Sequence, residues 1–145
     1  MIGLLQRVSH AEVSVGGELI GRIGRGLLVL VAVQRNDAER DIGRLAERIL
    51  GYRVFPDAAG RMNSSLRDES GGLLLVPQFT LAADTRKGTR ASFTKAASPE
   101  KAALYFDKLV DICRRELATV ETGSFGADMQ VSLTNDGPVT FWLES

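Results

Sequence analysis

The chain has very few imidazole and thiol groups, which many enzymes use as bases, nucleophiles or metal ligands. Its 145 residues include one cysteine and one histidine. Cys113 therefore has no partner for an intrachain disulfide, and one cysteine with His10 as the lone imidazole has no spacing typical of a zinc site. No Gly-x-Ser-x-Gly segment presents a nucleophilic serine, so a Ser-His-Asp hydrolase with His10 as its base is a minor alternative. The composition predicts no metal and no cofactor.

Net charge and long apolar runs are lacking as well. The 18 basic and 18 acidic residues cancel, and the pI is about 6.6, which argues against a broad basic face that grips nucleic acid. No apolar run approaches the roughly 20 residues of a membrane helix, and residues 1–10 lack the basic-then-apolar layout of a signal peptide. We expect a soluble cytoplasmic protein in which any contact with RNA is local.

One basic loop is the candidate for such a local contact. Arg86 to Arg90, named here the basic loop, holds three cations within five positions, and Lys95 follows it. Gly88 lets the backbone approach a phosphate. Charged loops are more often simply solvated, but this one is the best candidate in the chain. We predict these RNA-binding residues: Arg86, Lys87, Arg90 and Lys95.

Alternating apolar and polar residues predict strands. Two are expected over residues 2–15 and 18–23, joined by a tight turn at Gly16-Gly17. Leu27 to Val33 is almost wholly apolar, which predicts a strand buried on both faces. Further strands are expected at 52–55, 73–76, 129–133 and 139–143, with an excursion rich in Pro, Gly and Ser over residues 56–72.

Two helices are predicted from capping residues that precede apolar positions at helical spacing. The first covers about residues 37 to 50, with Asn36 as N-cap and Glu39 as its capping-box partner. The second follows Ser98-Pro99-Glu100 and ends near Ala118. Its apolar face is expected to contain Leu104, Phe106, Leu109, Val110, Cys113 and Leu117. Since two helices cannot make every connection a parallel crossover, the fold class is α/β, one domain over residues 1–145 with a mixed, mostly antiparallel sheet.

Two short segments carry most of the functional information. Pro77-Gln78-Phe79-Thr80-Leu81 has the pattern of a buried strand that ends in a loop, and Asn135 to Thr140 has the pattern of a hairpin turn. Gly137 adopts positive φ without a steric penalty, and Pro138 has a fixed φ and no N–H to donate. Gly-Pro between two strand-like runs therefore indicates backbone held for a purpose.

Together the two segments resemble the signature pair of the D-aminoacyl-tRNA deacylases, and further matches run from Arg7 to Thr140. The resemblance implies the fold of that family, a homodimer, and hydrolysis of the ester between a D-amino acid and the 3′-terminal adenosine of tRNA. It also implies activity on glycine mischarged onto alanine tRNA. Neither a membrane nor a metal is expected to take part.

The resemblance assigns Gln78, Phe79 and Thr80 to the aminoacyl pocket. Main-chain N–H groups would hold the substrate there, and the 2′-hydroxyl of the terminal adenosine would assist attack on the ester. An unactivated threonine is a poor nucleophile, so RNA-assisted hydrolysis is preferred to a covalent intermediate on Thr80. The resemblance also implies a group for substrate binding and chirality filtering: Gly137, Pro138, Arg7, Asn135, Phe125 and Met129.

Gly137-Pro138 is expected to act as the chirality filter through a cis peptide bond presented across the dimer interface. The carbonyls of both residues would then point the same way into the partner's pocket. An L side chain would meet those oxygens, whereas a D side chain points away from them and glycine has nothing to exclude. Arg7 and Asn135 would hold this segment in place.

Two positions depart from the usual family pattern. Pro77 stands where serine commonly precedes Gln-Phe-Thr, and Ala91 replaces a proline in Gly-x-Arg-Pro-Ser-Phe. Pro77 removes a hydroxyl and an N–H from the pocket wall, which bears on the choice of amino acid more than on the reaction. Two alternatives to this function stay open: an editing deacylase of the same fold for a small L-amino acid, and a non-catalytic protein that binds tRNA or DNA.

Overall fold

The computed structural model describes all 145 residues. Its strands, helices and one 3₁₀ turn follow the chain in this order: β1 (Ile2–Val15), β2 (Glu18–Ile23), β3 (Gly26–Ala32), α1 (Glu39–Gly51), β4 (Phe55–Pro56), β5 (Met62–Ser64), α2 (Leu66–Glu69), β6 (Gly72–Pro77), the 3₁₀ turn (Phe79–Ala82), α3 (Pro99–Glu116), β7 (Val120–Thr122) and β8 (Met129–Glu144). The short elements β5, α2, β7 and the 3₁₀ turn were not predicted, because they have too few residues to show a period.

The main sheet is built around β1. This strand pairs antiparallel with β2, β3 and β8. β6 pairs parallel with β3, and β7 pairs parallel with β6. β4 and β5 form a separate two-stranded ribbon. The prediction of a mixed, mostly antiparallel sheet in an α/β fold is thus confirmed.

Both long helices cover one face of this sheet. Residues of α1 and α3 join β3 and β6 in a cluster of 22 buried side chains, the larger core of the molecule. Cys113 is fully buried in that cluster, and burial raises the pKa of its thiol to about 12. The prediction of a packed thiol without chemistry is consistent with this environment, because a protonated buried thiol is a weak nucleophile.

The ends of the two helices differ in how well the sequence predicts them. Ser98 caps α3 as predicted, with its Oγ accepting from the Lys101 amide at 3.4 Å. The predicted start of α1 at Asn36 is wrong: the helix begins at Glu39, where Asp41 accepts from the Ala38 amide at 2.7 Å. The prediction that Leu104 lies on the apolar face of α3 is also wrong, because its side chain is 52% exposed.

The strand predicted at residues 52–55 is observed only as β4, because Tyr52, Arg53 and Val54 connect α1 to the ribbon without joining a ladder. The two strands predicted at 129–133 and 139–143 are one strand, β8, that follows β1 along its whole length. The predicted hairpin turn at Asn135 to Thr140 is therefore wrong.

A bulge replaces that turn. Gln6 pairs with Thr140 and Val8 pairs with Asn135, so β1 advances two residues while β8 advances five. The extra residues, Asp136 to Val139, leave the ladder and project from it, as extra residues do in β-bulges. We name this segment the Gly-Pro bulge.

The other face of the sheet is covered unevenly. Leu4 pairs directly with Leu30 on β3 and with Trp142 on β8, so the three side chains form a row. Leu4 and Leu30 are half-buried and Trp142 is 50% exposed. Beside this row, the 3₁₀ turn packs through Ala82 onto Ile2 and Ala32 of the same face. The helices are too short or too polar for any of them to cross a membrane.

Candidate active site

The end of β6 delivers the segment Gln78 to Thr80 to the surface. The Gln78 amide donates to the Val31 carbonyl at 2.7 Å, which continues the parallel ladder with β3 by one bond. The chain then turns into the 3₁₀ turn, closed by the Leu81 amide donating to the Gln78 carbonyl at 3.2 Å. The first N–H groups of such a turn, those of Phe79 and Thr80, have no partner within it. They are the donors available to a substrate carbonyl.

Thr80 has no general base beside it. Its exposed hydroxyl accepts a hydrogen bond from Gln78 Nε2 at 2.5 Å, and no His, Lys, Asp or Glu side chain hydrogen-bonds to it. The one imidazole, His10, lies exposed on β1 with the hydroxyls of Ser9 and Thr134 at 3.3 and 3.4 Å. A hydroxyl in this environment keeps its proton and attacks slowly.

An apolar cavity of about 280 Å³ opens beside Phe79. The predicted pocket residues Phe79 and Phe125 both line it, as do Pro77, which was expected in the pocket wall, and Gly126, the neighbour of Phe125. Three lining residues were not singled out from the sequence: Ala97, Pro99 and Ala102. Pro99 and Ala102 lie one turn apart on α3, a spacing that could have suggested a shared face. Phe93 also escaped prediction; its ring centroid lies 5.0 Å from that of Phe79.

Met129 lies behind this cavity and does not line it. Its Sδ accepts from the Ser124 amide at 3.3 Å, and a Cβ at Gly123 would come within 2.8 Å of that sulfur and 3.3 Å of the Pro77 ring. Gly123 therefore permits the close packing of Pro77, Met129 and the loop that carries Phe125. Met129 was predicted among the residues for substrate binding and chirality filtering, but it lies outside the cavity lining, next to Gly123.

The Gly-Pro bulge is held from both sides by polar groups. Arg7, with 13% of its side chain exposed, donates from Nε to the Asp136 carbonyl at 2.8 Å and from Nη1 to the Val54 carbonyl at 2.6 Å. Asn135 Oδ1 accepts from the Val139 amide at 2.6 Å, and its Nδ2 donates to Thr140 Oγ1 at 2.9 Å. The bulge is thus fixed at its base.

At the tip of the bulge, the peptide bond between Gly137 and Pro138 is cis, as the sequence predicts. Both residues are exposed, and neither lines the cavity beside Phe79 of the same chain. The predicted site residues therefore fall into separate groups, one around Phe79 and one on the bulge.

The basic loop forms a third group. Asp84 and Ser92 close it through two backbone hydrogen bonds of 2.8 and 3.0 Å. Arg86 forms a double ion pair with Asp84, through Nη2 at 2.5 Å and Nε at 2.9 Å. These hydrogen bonds hold the pKa of the Asp84 carboxyl far below its usual range, so Asp84 is ionised at any physiological pH.

Comparisons with known proteins identify the family of this chain. Residues 4–144 match the family model described as D-Tyr-tRNA(Tyr) deacylase. The D-aminoacyl-tRNA deacylase of Alkalilimnicola ehrlichii is 66% identical over 100% of this chain and 97% of its own length. The protein of the same name from Escherichia coli O1:K1 / APEC is 55% identical over 99% of both chains.

The chain belongs to the D-Tyr-tRNA(Tyr) deacylase family. Among solved structures, the one titled c-Myc DNA Unwinding Element Binding Protein is 38% identical with a TM-score of 0.95, over 100% of this chain and 99% of that one. A second, titled as a probable eukaryotic D-amino acid tRNA deacylase, is 17% identical with a TM-score of 0.86 over 99% and 98% of the two chains. At that identity the likeness concerns the fold alone.

The polar contacts at the base of the bulge generate a prediction. Asn135→Ala leaves the Val139 N–H without its acceptor, which costs about 1–3 kcal/mol for a buried donor and less here, where the group is partly solvated. We expect a small loss in the free energy of unfolding and a large loss of deacylation rate. The measurements are denaturant unfolding and hydrolysis of a D-aminoacyl-tRNA.

Asn36→Ala is the matched control, because Asn36 is exposed and its side chain makes no hydrogen bond. It should change neither quantity. If Asn135→Ala retains the wild-type rate, the geometry of the bulge is unimportant for the reaction.

Proposed function

We propose that this chain hydrolyses the ester bond of D-aminoacyl-tRNA and releases the D-amino acid and free tRNA. The observation that carries the proposal is the apolar cavity beside Phe79, which lies next to unpaired backbone N–H groups in a chain of the D-Tyr-tRNA(Tyr) deacylase family. The cavity offers an apolar surface to the amino-acid side chain, and the N–H groups offer hydrogen bonds to the ester carbonyl. The reaction takes place in the cytoplasm, with tRNA as the partner.

Backbone donors and the substrate's own hydroxyl carry the mechanism. The amides of Phe79 and Thr80 stabilise the negative charge that develops on the ester oxygen as water attacks. The 2′-hydroxyl of the terminal adenosine assists that attack, because Thr80 is hydrogen-bonded to Gln78 Nε2 and has no base to remove its proton. Thr80 orients the turn and forms no covalent intermediate.

The active form is a homodimer. The row of Leu4, Leu30 and Trp142 exposes apolar surface beside the 3₁₀ turn, and a second copy of the chain is the occupant that removes it from water. In a two-fold dimer the same patch covers itself, so each copy brings its own bulge towards the other. The exposed Gly-Pro bulge of one copy then completes the pocket beside Phe79 of the other.

The Gly-Pro bulge rejects L-amino acids by steric exclusion. The carbonyl oxygens of Gly137 and Pro138 occupy the direction that an L side chain would take, while a D side chain points away from them. Exclusion does not require the cavity to fit one side chain, so several D-amino acids are accepted. Glycine has no side chain to exclude, and glycine mischarged onto alanine tRNA is a further substrate.

RNA contacts are few and local. Net charge is zero, so binding depends on the basic loop and Lys95, the four cations Arg86, Lys87, Arg90 and Lys95. Their contribution is to position the phosphates of the tRNA end, since phosphate contacts carry no information about which amino acid is attached.

A deacylation assay with matched D- and L-aminoacyl-tRNA tests the proposed function. We expect rapid loss of the D-ester, little loss of the L-ester, and loss of glycyl-tRNA. Selective loss of an L-ester would instead support the editing deacylase for a small L-amino acid. Loss of neither ester would leave a binding protein, a possibility given weight by the 38% identical structure that is titled as a DNA-binding protein.

The role of Thr80 gives a second prediction. Thr80→Ala should retain most of the deacylation rate, because the hydroxyl transfers no proton in the reaction. In contrast, a D-aminoacyl-tRNA with 2′-deoxyadenosine at its end should be cleaved far more slowly. Single-turnover rates on the two substrates measure both effects.

Two results would contradict this mechanism. One is an acyl ester trapped on Thr80. The other is a Thr80→Ala rate below about a hundredth of wild type, which corresponds to about 2.7 kcal/mol of lost transition-state stabilisation.

A further inference from the structure

We propose that the basic loop and Phe93 bind the single-stranded end of the tRNA, with phosphates on Lys87 and Arg90 and a base stacked on Phe93. This inference depends on the function proposed above, because it takes tRNA as the ligand. In this proposal some of the cations bind phosphates and the others hold the loop in shape. The ligand of this surface is single-stranded RNA rather than duplex RNA.

Asp84 holds two of the cations in place through ion pairs. It pairs with Arg86 through both carboxylate oxygens, accepts from the Arg86 amide at 3.1 Å, and lies 3.4 Å from Lys95 Nζ. The loop closed by Asp84 and Ser92 is thus held in one shape by its own ion pairs. Arg86 and Lys95 are positioning residues, because a carboxylate already neutralises part of their charge.

Lys87 and Arg90 are the cations that remain available. Both are exposed and neither forms an ion pair within the chain. Together with Asp84, Arg86 and Ser92 they line a polar cavity of about 500 Å³. A cavity with two unpaired cations and no apolar lining is suited to phosphate oxygens and their hydration, since phosphate is the anion that nucleic acids supply at every step along the strand.

Phe93 connects this cavity to the aminoacyl pocket. It follows Ser92 directly, its side chain is 43% exposed, and its ring packs against Phe79 at a tilt of 46°. An exposed aromatic ring beside unpaired cations is the arrangement that proteins use to stack single-stranded bases. Bases inside a duplex already stack on each other, so only an unpaired end can use this ring.

Salt-dependent binding tests the phosphate contacts. The probe is a single-stranded RNA of about eight nucleotides ending in CCA, within the usual size of such sites. In Lys87→Ala/Arg90→Ala the slope of log affinity against log salt should become shallower by about 1.4, since each contact to a single strand contributes about 0.7. The matched control is Arg114→Ala/Arg115→Ala, which removes two exposed, unpaired arginines at the far end of α3 and should leave the slope unchanged.

Variants of Phe93 test the stacking. Phe93→Ala should weaken binding of the same RNA roughly 5-fold to 150-fold with little change in salt slope, and Phe93→Tyr should restore it, because stacking needs only an aromatic ring. A blunt duplex of equal length should bind more weakly and respond to none of these substitutions at Phe93.

Two results would overturn the proposal. One is that Lys87→Ala/Arg90→Ala changes the salt slope no more than Arg114→Ala/Arg115→Ala does. The other is that the duplex competes for binding as well as the single-stranded RNA does. The probe carries no amino acid, so this outcome is independent of hydrolysis. A protein that binds as expected but cleaves no ester would retain the loop assignment and lose the proposed deacylase function.

Discussion

The pairing of β1 with β8 is the constraint on which the candidate site depends. These two strands run together over the whole length of β1, and the mismatch between Gln6 and Val8 forces four residues of β8 out of the ladder. Arg7 lies between Gln6 and Val8 on β1 and has no ladder partner on β8. Its side chain donates a hydrogen bond to the Asp136 carbonyl instead. A bulge fixed in this way can present backbone atoms to a ligand without a flexible loop.

The pocket beside Phe79, like the bulge, offers backbone groups to a ligand. The one cysteine is buried in the core, and no titratable side chain hydrogen-bonds to Thr80, so the structure leaves that hydroxyl without a base. In the mechanism proposed above, backbone N–H groups at the 3₁₀ turn, an apolar cavity and a hydroxyl of the RNA bring about ester hydrolysis without a catalytic side chain. Under the same proposal, rejection by a backbone segment would let one site serve several D-amino acids.

The sequence predicts the elements whose signals are local. α3 begins at Pro99, after the N-cap Ser98, because serine, proline and glutamate meet there, and the buried strand at β3 follows from an unbroken apolar run. The prediction fails at Asn135 to Thr140, where Gly-Pro chemistry is the same in a turn and in a bulge, and only the pairing of both flanks with β1 distinguishes them. Ala97, which lines the cavity, and Phe93, whose ring packs against Phe79, were missed because both contacts join residues from separate elements. No spacing in the sequence records such contacts.

The central claim is that one subunit's bulge completes the other subunit's pocket, and mixed dimers test it most directly. One variant lacks Gly137 and Pro138, and the other carries Gln78→Ala and Phe79→Ala; each should be inactive alone on D-aminoacyl-tRNA. After random mixing, the two-fold arrangement predicts recovery of about a quarter of the wild-type sites, since half of the dimers then hold one intact bulge facing one intact pocket. Failure to recover activity, with mixed dimers shown to form, would contradict the shared site.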